Sequence, residues 1–419
     1  NADVSLAGSG SDAVNAGTDE QHDIAIGDNG YLLLDLQGHV VEVVSTGSQY
    51  GGIDTIETGG GEDYVIAGDA GDEIDSAAGR DLVLGDHGTL VWDTSVDPPV
   101  LSEIRSTEPE LGGDDVIEGG DDTDVILAGT GADVVDAGGD NSSDFAVGDH
   151  GYAFFDDQGR LIEIGTAFHQ FGGADDLTAA DGRDYLIGGV DSDELTANGG
   201  EDVILGDTAQ LIWSQEYDPP ILVQLTSPSE DTAHGGDDTI DAGEGNDLAF
   251  GGTGSDILYG RSGDDVLSNY QANFTLPLPA MPSFSGWGNQ QQQHVWDQPL
   301  SLFATENFAP LNAGGDSSLG TGELVPSDNQ IFGGGGDDFY LIVPGGQDTI
   351  DEGISADDQM QSSAPMAGAS ESSTSPDLSD TFLLHSWPSA AHTIYLDFDG
   401  HVTEGTTWNS EISSIVSPA

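Results

Sequence analysis

Residues 242–268 read AGEGNDLAFGGTGSDILYGRSGDDVLS and form three consecutive nine-residue units. Each unit approximates Gly-Gly-x-Gly-x-Asp-x-apolar-x, so that Asp247, Asp256 and Asp265 lie nine residues apart. Glycine at this density would penalise a helix by about 1 kcal/mol per residue relative to alanine. The stretch therefore predicts tight turns that alternate with short strands.

The same spacing recurs in separate blocks, and an apolar or small residue lies two positions after each aspartate. Turn propensity alone does not produce a fixed spacing, so we interpret these aspartates as metal ligands rather than as a solvated acidic surface or Asp-Gly turns. The predicted ligands are Asp54, Asp63, Asp72, Asp81, Asp115, Asp124, Asp133, Asp175, Asp184, Asp193, Asp202, Asp238, Asp247, Asp256, Asp265 and Asp338.

Two nonapeptides can form one coil of about 18 residues, with a short strand on each side. Successive coils then stack at the strand spacing of about 4.8 Å. The apolar residue of each strand points inward, as we expect for Ile56, Val65, Ile74 and Val83. The predicted fold is all-β, a parallel β-roll or β-solenoid with inserted β-hairpin arms.

A longer repeat contains the short one, because the segment from Gly51 matches the segment from Gly172 without a gap. Each unit has two halves, and most halves run from nonapeptides into strand-like arms rich in β-branched and aromatic residues. Short arms are predicted to turn at Gln37-Gly38 and Gln158-Gly159, and longer arms at the Asp-Pro-Pro sequences of residues 97–99 and 218–220.

These patterns divide the chain into nine predicted regions. Repeat halves with arms occupy 1–50 (a truncated start), 51–111, 112–171 and 172–234, and a nonapeptide block occupies 235–269. A Pro- and Gln-rich excursion, a returning repeat, a Ser-rich linker and a C-terminal strand or hairpin segment, the possible start of a peptidase-like domain, occupy 270–330, 331–354, 355–391 and 392–419.

The charge of the chain requires an external cation. It has 78 acidic residues against 5 arginines and lysines, for a net charge of −73, which opposes compaction unless it is neutralised. Phosphates would be repelled, so no nucleic-acid partner is expected. Cysteine is absent, which excludes disulfides and thiolate metal sites, and no apolar run of membrane-spanning length occurs.

Coil stacking would place Asp54 beside Asp72, and Asp247 beside Asp265. Two carboxylates about 5 Å apart repel by roughly 3 kcal/mol at an effective dielectric constant near 20. A hard cation between coils converts this repulsion into attraction, and carboxylate with carbonyl oxygens is the ligand set of Ca²⁺ rather than Mg²⁺. We therefore predict multiple Ca²⁺ ions as the cofactor.

The nonapeptides resemble the RTX, or hemolysin-type, calcium-binding repeat family, best at Gly251–Tyr259 (GGTGSDILY) and Gly333–Leu341 (GGGGDDFYL). The resemblance implies a bacterial protein that is secreted unfolded and folds outside the cell, where Ca²⁺ is abundant. Two departures predict weak or empty sites: Ala70 replaces a glycine, and two aspartate pairs are eleven residues apart. Those pairs are Asp12 with Asp23 and Asp133 with Asp144.

Several other residues recur between repeats. The Gly-Asp steps at Asp28, Asp86, Asp149 and Asp207 are consistent with either turn formation or further Ca²⁺ ligation. His87 and His150 recur, but Asn29 and Thr208 stand in the sister halves, which favours a structural role in turns. For Trp92 and Trp213, packing against the arms is favoured over sugar binding.

No His-Glu-x-x-His, Gly-x-Ser-x-Gly or phosphate-loop motif is present, so we expect that the chain is not an enzyme. Residues 392–409, HTIYLDFDGHVTEGTTWN, resemble the opening segment of bacterial secreted zinc metallopeptidases. The zinc-binding helix that such a domain requires is not in this sequence.

The favoured function is an extracellular or cell-surface calcium-binding structural protein: a surface layer, an adhesin or a filament-forming stalk, assembled as a homo-oligomer or filament. The alternative is the Ca²⁺-dependent folding and export region of a secreted zinc metallopeptidase. A carbohydrate-binding adhesin that uses arm aromatics is a third option.

Removal of calcium by EDTA is expected to unfold the repeat blocks, because ion binding and folding are coupled in such sites. Circular dichroism and the melting temperature report the loss. Both signals unchanged after exhaustive chelation would contradict the calcium interpretation.

Overall fold

The computed structural model describes residues 3–17, 21–46, 50–216, 220–227, 234–269, 273–275, 329–335, 338–342, 349–351, 359–362, 402–403 and 415–416. The helices and strands assigned in these residues are β-strands alone, with no helix among them. The chain divides into two units, residues 1–365 and 366–419.

The strands of the first repeat unit, in chain order, are β1 (Val4–Leu6), β2 (Ala13–Asn15), β3 (Ile24–Ile26), β4 (Gly30–Leu34), β5 (Val40–Ser45), β6 (Thr55–Glu57), β7 (Tyr64–Ile66), β8 (Glu73–Asp75), β9 (Leu82–Leu84), β10 (Gly88–Asp93), β11 (Val100–Ser106) and β12 (Val116–Glu118). The second unit contains β13 (Val125–Gly129), β14 (Val134–Asp136), β15 (Phe145–Asp149), β16 (Gly151–Phe155), β17 (Leu161–Thr166), β18 (Asp176–Thr178), β19 (Asp181–Gly182), β20 (Tyr185–Gly189), β21 (Glu194–Thr196), β22 (Gly199–Gly200), β23 (Val203–Asp207), β24 (Gln210–Ser214), β25 (Ile221–Thr226) and β26 (Thr239–Asp241). The remaining strands are β27 (Leu248–Phe250), β28 (Ile257–Tyr259), β29 (Val266–Ser268), β30 (Asn273–Thr275), β31 (Gln330–Phe332), β32 (Phe339–Ile342), β33 (Thr349–Asp351), β34 (Gln359–Ser362), β35 (Val402–Thr403) and β36 (Ile415–Val416).

Two parallel sheets form the two sides of a coil. One has the order β1-β3-β7-β9-β13-β15-β20-β23-β27-β29-β32-β34, and the other β2-β6-β8-β12-β14-β18-β21-β26-β28-β31-β33. Equivalent apolar residues pair one coil apart, as Ile56 does with Ile74 and Val65 with Val83. The chain crosses between the sheets at every turn, so the predicted parallel β-solenoid is confirmed.

Hairpin arms leave the solenoid at one turn of every second coil. The hairpins are β4–β5, β10–β11, β16–β17 and β24–β25, and each is inserted between a strand of the twelve-stranded sheet and the next strand of the eleven-stranded sheet. Together with β30 they form one antiparallel sheet of nine strands, in the order β30-β25-β24-β17-β16-β11-β10-β5-β4.

The spacing of the coils explains why the arms join into a sheet. Two coils separate successive arms, which is about 9.6 Å at the usual strand spacing of about 4.8 Å. A hairpin is two strands wide, so adjacent hairpins lie at hydrogen-bonding distance along their whole edges. Thus β5 pairs with β10, β11 with β16, and β17 with β24, all antiparallel.

Two apolar cores separate three layers of sheet. Inside the coils, Ile56, Ile117 and Ile126 belong to a core between the two parallel sheets. Between the twelve-stranded sheet and the arm sheet, Leu84 packs in a second core with Ile104 of the arms. The twelve-stranded sheet is thus covered on both faces in its central part.

The strand sequences reflect this layering. Strands of the twelve-stranded sheet, such as Leu82–Leu84, are buried at all three positions. Strands of the eleven-stranded sheet, such as Val116–Glu118, bury only the central residue and expose its two neighbours. Burial on two faces therefore requires continuous apolar sequence, while burial on one face permits acidic flanking residues.

The arm tryptophans pack against the solenoid, in the manner favoured from the sequence. Trp213 is 8% exposed and makes edge-to-face contacts with Phe145 and Tyr185, with ring centroids 5.7 and 5.2 Å apart. Trp92 makes the equivalent contact with Tyr64, at 5.4 Å. Their rings fix the arms to the outer face of the twelve-stranded sheet.

Three regions differ from the sequence expectation or fall outside the described residues. Within the predicted linker 355–391, Gln359–Ser362 forms β34 and pairs in parallel with β32, and the rest lies outside the described residues. The excursion 270–330 contributes β30 to the arm sheet and β31 to the solenoid, while residues 276–328 lie outside the described residues. In the C-terminal unit, residues 366–419, β35 pairs antiparallel with β36. The rest of segment 392–419 lies outside the described residues.

No helix long and apolar enough to cross a membrane occurs in the part of the chain that the structure describes.

Neighbouring residues of β12 provide a matched test of the core. Ile117 is fully buried, whereas Val116 is 45% exposed. We expect Ile117→Ala to lower the free energy of unfolding by about 2–5 kcal/mol, because it leaves a cavity between the parallel sheets. Val116→Ala is expected to cost less than about 1 kcal/mol. Denaturant unfolding in saturating Ca²⁺ measures both, and equal losses would contradict the assignment of the core.

Candidate metal centre

Two ladders of aspartates follow the two turns of the solenoid. In each ladder the backbone N–H of one residue donates to Oδ1 of the aspartate one coil further along. The first column runs Asp12, Asp54, Asp72, Asp115, Asp133, Asp175, Asp193, Asp238, Asp256 and Asn329, with N···O distances of 2.7–3.2 Å. The second column runs Asp3, Asp23, Asp63, Asp81, Asp124, Asp144, Asp184, Asp202, Asp247, Asp265 and Asp338, with distances of 2.6–3.1 Å.

These carboxylates are buried rather than solvated. All sixteen predicted ligands lie in the columns, and none is more than 3% exposed. Carboxylates are almost never buried without a counter-charge, because the desolvation of a charge costs several kcal/mol. A solvated acidic surface is therefore excluded as the explanation for the repeated aspartates.

One oxygen of nearly every predicted ligand has no hydrogen-bond partner among the described residues. Oδ1 accepts the ladder hydrogen bond, and Oδ2 is buried with no donor. Asp338 differs, because the hydroxyl of Tyr340 donates to its Oδ2 at 3.4 Å. The unpartnered Oδ2 atoms belong to Asp54, Asp63, Asp72, Asp81, Asp115, Asp124, Asp133, Asp175, Asp184, Asp193, Asp202, Asp238, Asp247, Asp256 and Asp265.

Main-chain carbonyls lie beside these free oxygens. A Cβ added at Gly206 would collide with both Oδ2 of Asp238 and the carbonyl oxygen of Gly251, one coil further on. The same convergence occurs at Gly148, where Oδ2 of Asp175 and the carbonyl oxygen of Gly188 meet. The donor set is oxygen only and combines carboxylate with carbonyl, which fits Ca²⁺.

The fourth residue of the nonapeptide is glycine because adjacent turns stack closely there. Gly263 has a φ of 137°, and a Cβ on it would overlap the carbonyl oxygen of Gly245 in the neighbouring turn. Ala70 adopts a φ of 73° at the equivalent position. It therefore keeps the left-handed turn, and Asp72 in the same turn stays in its column.

Burial raises the pKa of the column carboxyls, and neighbouring aspartates raise it further. The pKa of Asp193 rises to about 11 and that of Asp115 to about 10, mainly through loss of solvent and then through adjacent carboxylates. Asp238 and Asp265 rise to about 9 for the same reasons. The stack without a cation thus favours protonated carboxyls, and a bound divalent cation would favour the charged form.

The comparisons with known proteins agree with this geometry. The family described as RTX calcium-binding nonapeptide repeat (4 copies) matches residues 50–83, 111–143, 169–207, 232–267 and 326–341. No match was found among curated proteins. The chain carries the RTX calcium-binding nonapeptide repeat, and its repeats bind Ca²⁺ at multiple sites along the solenoid. Proteins with this repeat are typically bacterial and secreted or located at the cell surface.

The family match ends at residue 341 and gives no support to the metallopeptidase resemblance of residues 392–409. Those residues stay a sequence observation, since most of them lie outside the described part of the structure.

The ladders contain aspartates that the sequence argument left out. Asp12, Asp23 and Asp144 occupy column positions although they adjoin the eleven-residue spacings. The two extra residues are accommodated in the turn, so the spacing does not interrupt either ladder, as Asp124 and Asp144 show. The sequence signal for these aspartates was the buried apolar residue two positions after each one, such as Val14 after Asp12. Asn329 in the first column also has a buried apolar residue, Ile331, two positions later, but it is not an aspartate and it follows the long excursion.

The Gly-Asp steps have a structural role at the base of each arm. The arm interrupts a turn, and the carboxylate of the step bridges the gap. Asp86 accepts hydrogen bonds from the N–H groups of Gly113, at 3.2 Å, and Thr130, at 2.5 Å. Asp149 makes the equivalent bonds at 3.0 and 2.5 Å.

When bound, Ca²⁺ supplies positive charge between adjacent coils. The chain contributes the rest of each site: glycines allow the carbonyls to approach, the ladder orients each carboxylate, and the apolar cores hold the coil spacing.

Asp238→Asn tests a column position against an adjacent exposed control. The amide keeps an acceptor for the ladder but removes the charge, so we expect the affinity for Ca²⁺ to fall about tenfold or more, since ligand charge tunes affinity. Asp237→Asn makes the same change in net charge at an exposed residue. Calcium titration calorimetry compares the two variants, and equal effects would show that bulk charge rather than the column binds the ion.

The raised pKa values predict an unusual pH dependence of the calcium-free protein. The folded state binds more protons than the unfolded chain, because carboxyls with an ordinary pKa of 3.8 rise to about 7 at Asp184 and about 9 at Asp238. This stabilisation is full below the ordinary pKa and is lost as pH rises through the folded values.

Calcium-free protein should therefore show more β-structure by circular dichroism at about pH 5 than at about pH 8. Saturating Ca²⁺ should remove this loss, because the ion replaces the protons. A calcium-free protein that gains structure as pH rises would contradict the assignment of these carboxyls.

Proposed function

We propose that this chain is a calcium-stiffened structural element of a secreted or cell-surface bacterial protein, of the stalk or filament-forming kind. The observation that carries the proposal is the pair of unbroken aspartate ladders. They extend from Asp3 to Asp338, and fifteen of the sixteen predicted ligands in them combine a satisfied Oδ1 with an Oδ2 that has no donor in the described residues.

Rigidity along the stack supports a mechanical role. The twelve-stranded sheet extends about 50 Å at the usual strand spacing of about 4.8 Å. Ions between coils resist shear and extension of that stack, since separating two coils would leave buried carboxylates without a counter-charge. The arm sheet crosses the same coils and connects them a second time.

The exposed edge of the arm sheet supports assembly with a second copy. In the described residues β4 pairs only with β5, so β4 is an edge strand of the nine-stranded sheet. It carries exposed apolar side chains, with Leu33 48% and Leu34 57% exposed, and Leu36 follows in the turn. A long apolar edge is a template for strand pairing with another chain.

A structural rather than catalytic role is part of the proposal. The acidic groups at the turns are used in two repeating arrays, and the sequence contains none of the common hydrolase or nucleotide-binding motifs. Regular repetition favours an array of equal ion sites over a single reaction centre.

The proposal predicts a calcium-dependent change of shape and assembly of the full chain. In Ca²⁺, electron microscopy should show end-to-end or edge-to-edge particles. After chelation the radius of gyration measured by small-angle scattering should rise, and the assemblies should be lost. Particles that stay monomeric at all Ca²⁺ concentrations would contradict the assembly, while the calcium-dependent change in radius of gyration would still test the stiffening.

Leu34→Lys, at the exposed edge, separates these two parts. It places a charge on the β4 edge and should prevent assembly while leaving the calcium-dependent compaction unchanged. Val134→Lys, on the exposed face of β14 and 47% exposed in the native protein, is the matched control and should assemble normally.

A further inference from the structure

A cluster between the bases of the first and second arms differs chemically from the calcium columns. Asp28, Asp69 and His87 come from three successive coils, and a ligand atom from each lies within 4.8 Å of the other two. His87 and Asp28 are each 1% exposed, and the side chain of Asp69 is 15% exposed. The cluster thus has a buried interior and one side open to solvent.

The hydrogen bonds of Ser45 orient the imidazole of His87. Ser45 Oγ accepts from the Gly88 N–H at 2.9 Å and lies 3.3 Å from the Gly88 carbonyl oxygen, to which its hydroxyl donates. Nδ1 of His87 lies 3.1 Å from the same Oγ, so it donates in this arrangement. Nε2 faces Oδ1 of Asp69 at 3.1 Å; it donates to that carboxylate when it carries a proton, and it presents a lone pair to the same point when it does not.

Asp28 contributes a second carboxylate to the same point. Its Oδ2 accepts the backbone N–H of Asp69 at 2.6 Å. Its Oδ1 is buried and accepts no hydrogen bond of normal geometry, and the Gly52 N–H is at most a weak backbone donor to the carboxylate. Two carboxylates and one imidazole therefore converge on one largely buried point.

The sister junctions show that the turn itself does not require this combination. The same backbone hydrogen bond to the Gly-Asp carboxylate comes from Thr130, Val190 and Thr253 in the later halves. Thr130 therefore occupies, at the Asp86 junction, the position that Asp69 occupies at the Asp28 junction. His150 matches His87, but its Nε2 faces the Pro109 carbonyl at 3.4 Å, and burial lowers its pKa to about 4.

We propose that Asp28, Asp69 and His87 form a site for one divalent transition-metal ion of the zinc class, beside the first calcium column. A borderline ion accepts one imidazole and two carboxylates, and water completes its shell on the open side at Asp69. Ca²⁺ takes oxygen ligands, so the imidazole separates this site from the calcium columns. Ser45 would hold the ring by its other nitrogen, as partners of metal-bound histidines do.

The test uses the full chain in a large excess of Ca²⁺, with Zn²⁺ as the probe. Titration calorimetry should show one tight equivalent of Zn²⁺. Asp69→Thr and His87→Asn introduce the residues of sister junctions, Thr130 and Asn29, and each should weaken Zn²⁺ binding at least tenfold. His150→Asn is the matched control and should leave it unchanged.

Absence of a stoichiometric Zn²⁺ site in the Ca²⁺-loaded wild type, or undiminished binding in Asp69→Thr, would overturn the proposal. A spectroscopic measurement on the wild type does not depend on how the variants fold. X-ray absorption of the protein with one equivalent of Zn²⁺ should show a single imidazole in the zinc shell. A shell of oxygen atoms alone, or of several imidazoles, would assign the ion to surface groups instead.

Discussion

Repulsion between stacked, buried carboxylates is the constraint on which the rest of this structure depends. Almost every described coil places an aspartate at each of its two turns, and the ladder hydrogen bond aligns it with the next one. That bond satisfies only one oxygen, so the second oxygen and its charge require a cation. At neutral pH we therefore expect calcium binding and stacking to be coupled, and bound calcium makes a net charge of −73 compatible with close packing.

The coil spacing has a second consequence, because it also sets the geometry of the arms. Arms on alternate coils are separated by two strand spacings, which is the width of a hairpin. They join edge to edge into one sheet, and that sheet covers the twelve-stranded sheet with a second apolar core. The calcium columns hold the coils at the distance that lets the arms pair, and the paired arms in turn oppose separation of the coils. The junctions between them carry the structural Gly-Asp carboxylates, and in one junction the Asp28 cluster.

Much of this could be predicted from the sequence, since spacing and side-chain chemistry are local properties. The nine-residue interval identified the coil, sixteen of the twenty column aspartates and the inward residues such as Ile56 and Val65, both fully buried. The strand patterns also held an unused signal: Thr-Ile-Glu and Val-Ile-Glu segments bury one face, while Leu-Val-Leu is buried on two. Aspartates beside irregular spacings, such as Asp144, were missed because a turn can absorb extra residues without moving its end.

By itself the sequence determined the repeat, the ligand chemistry and the hairpin character of the arms. Each of these depends on residues that are close together in the chain. Only the tertiary structure decided that the arms form a continuous sheet, that Asn329 continues the first column, and that Asp28, Asp69 and His87 meet. Those contacts join residues that are far apart in sequence, and they depend on how many residues each turn and arm inserts before the chain returns to the stack.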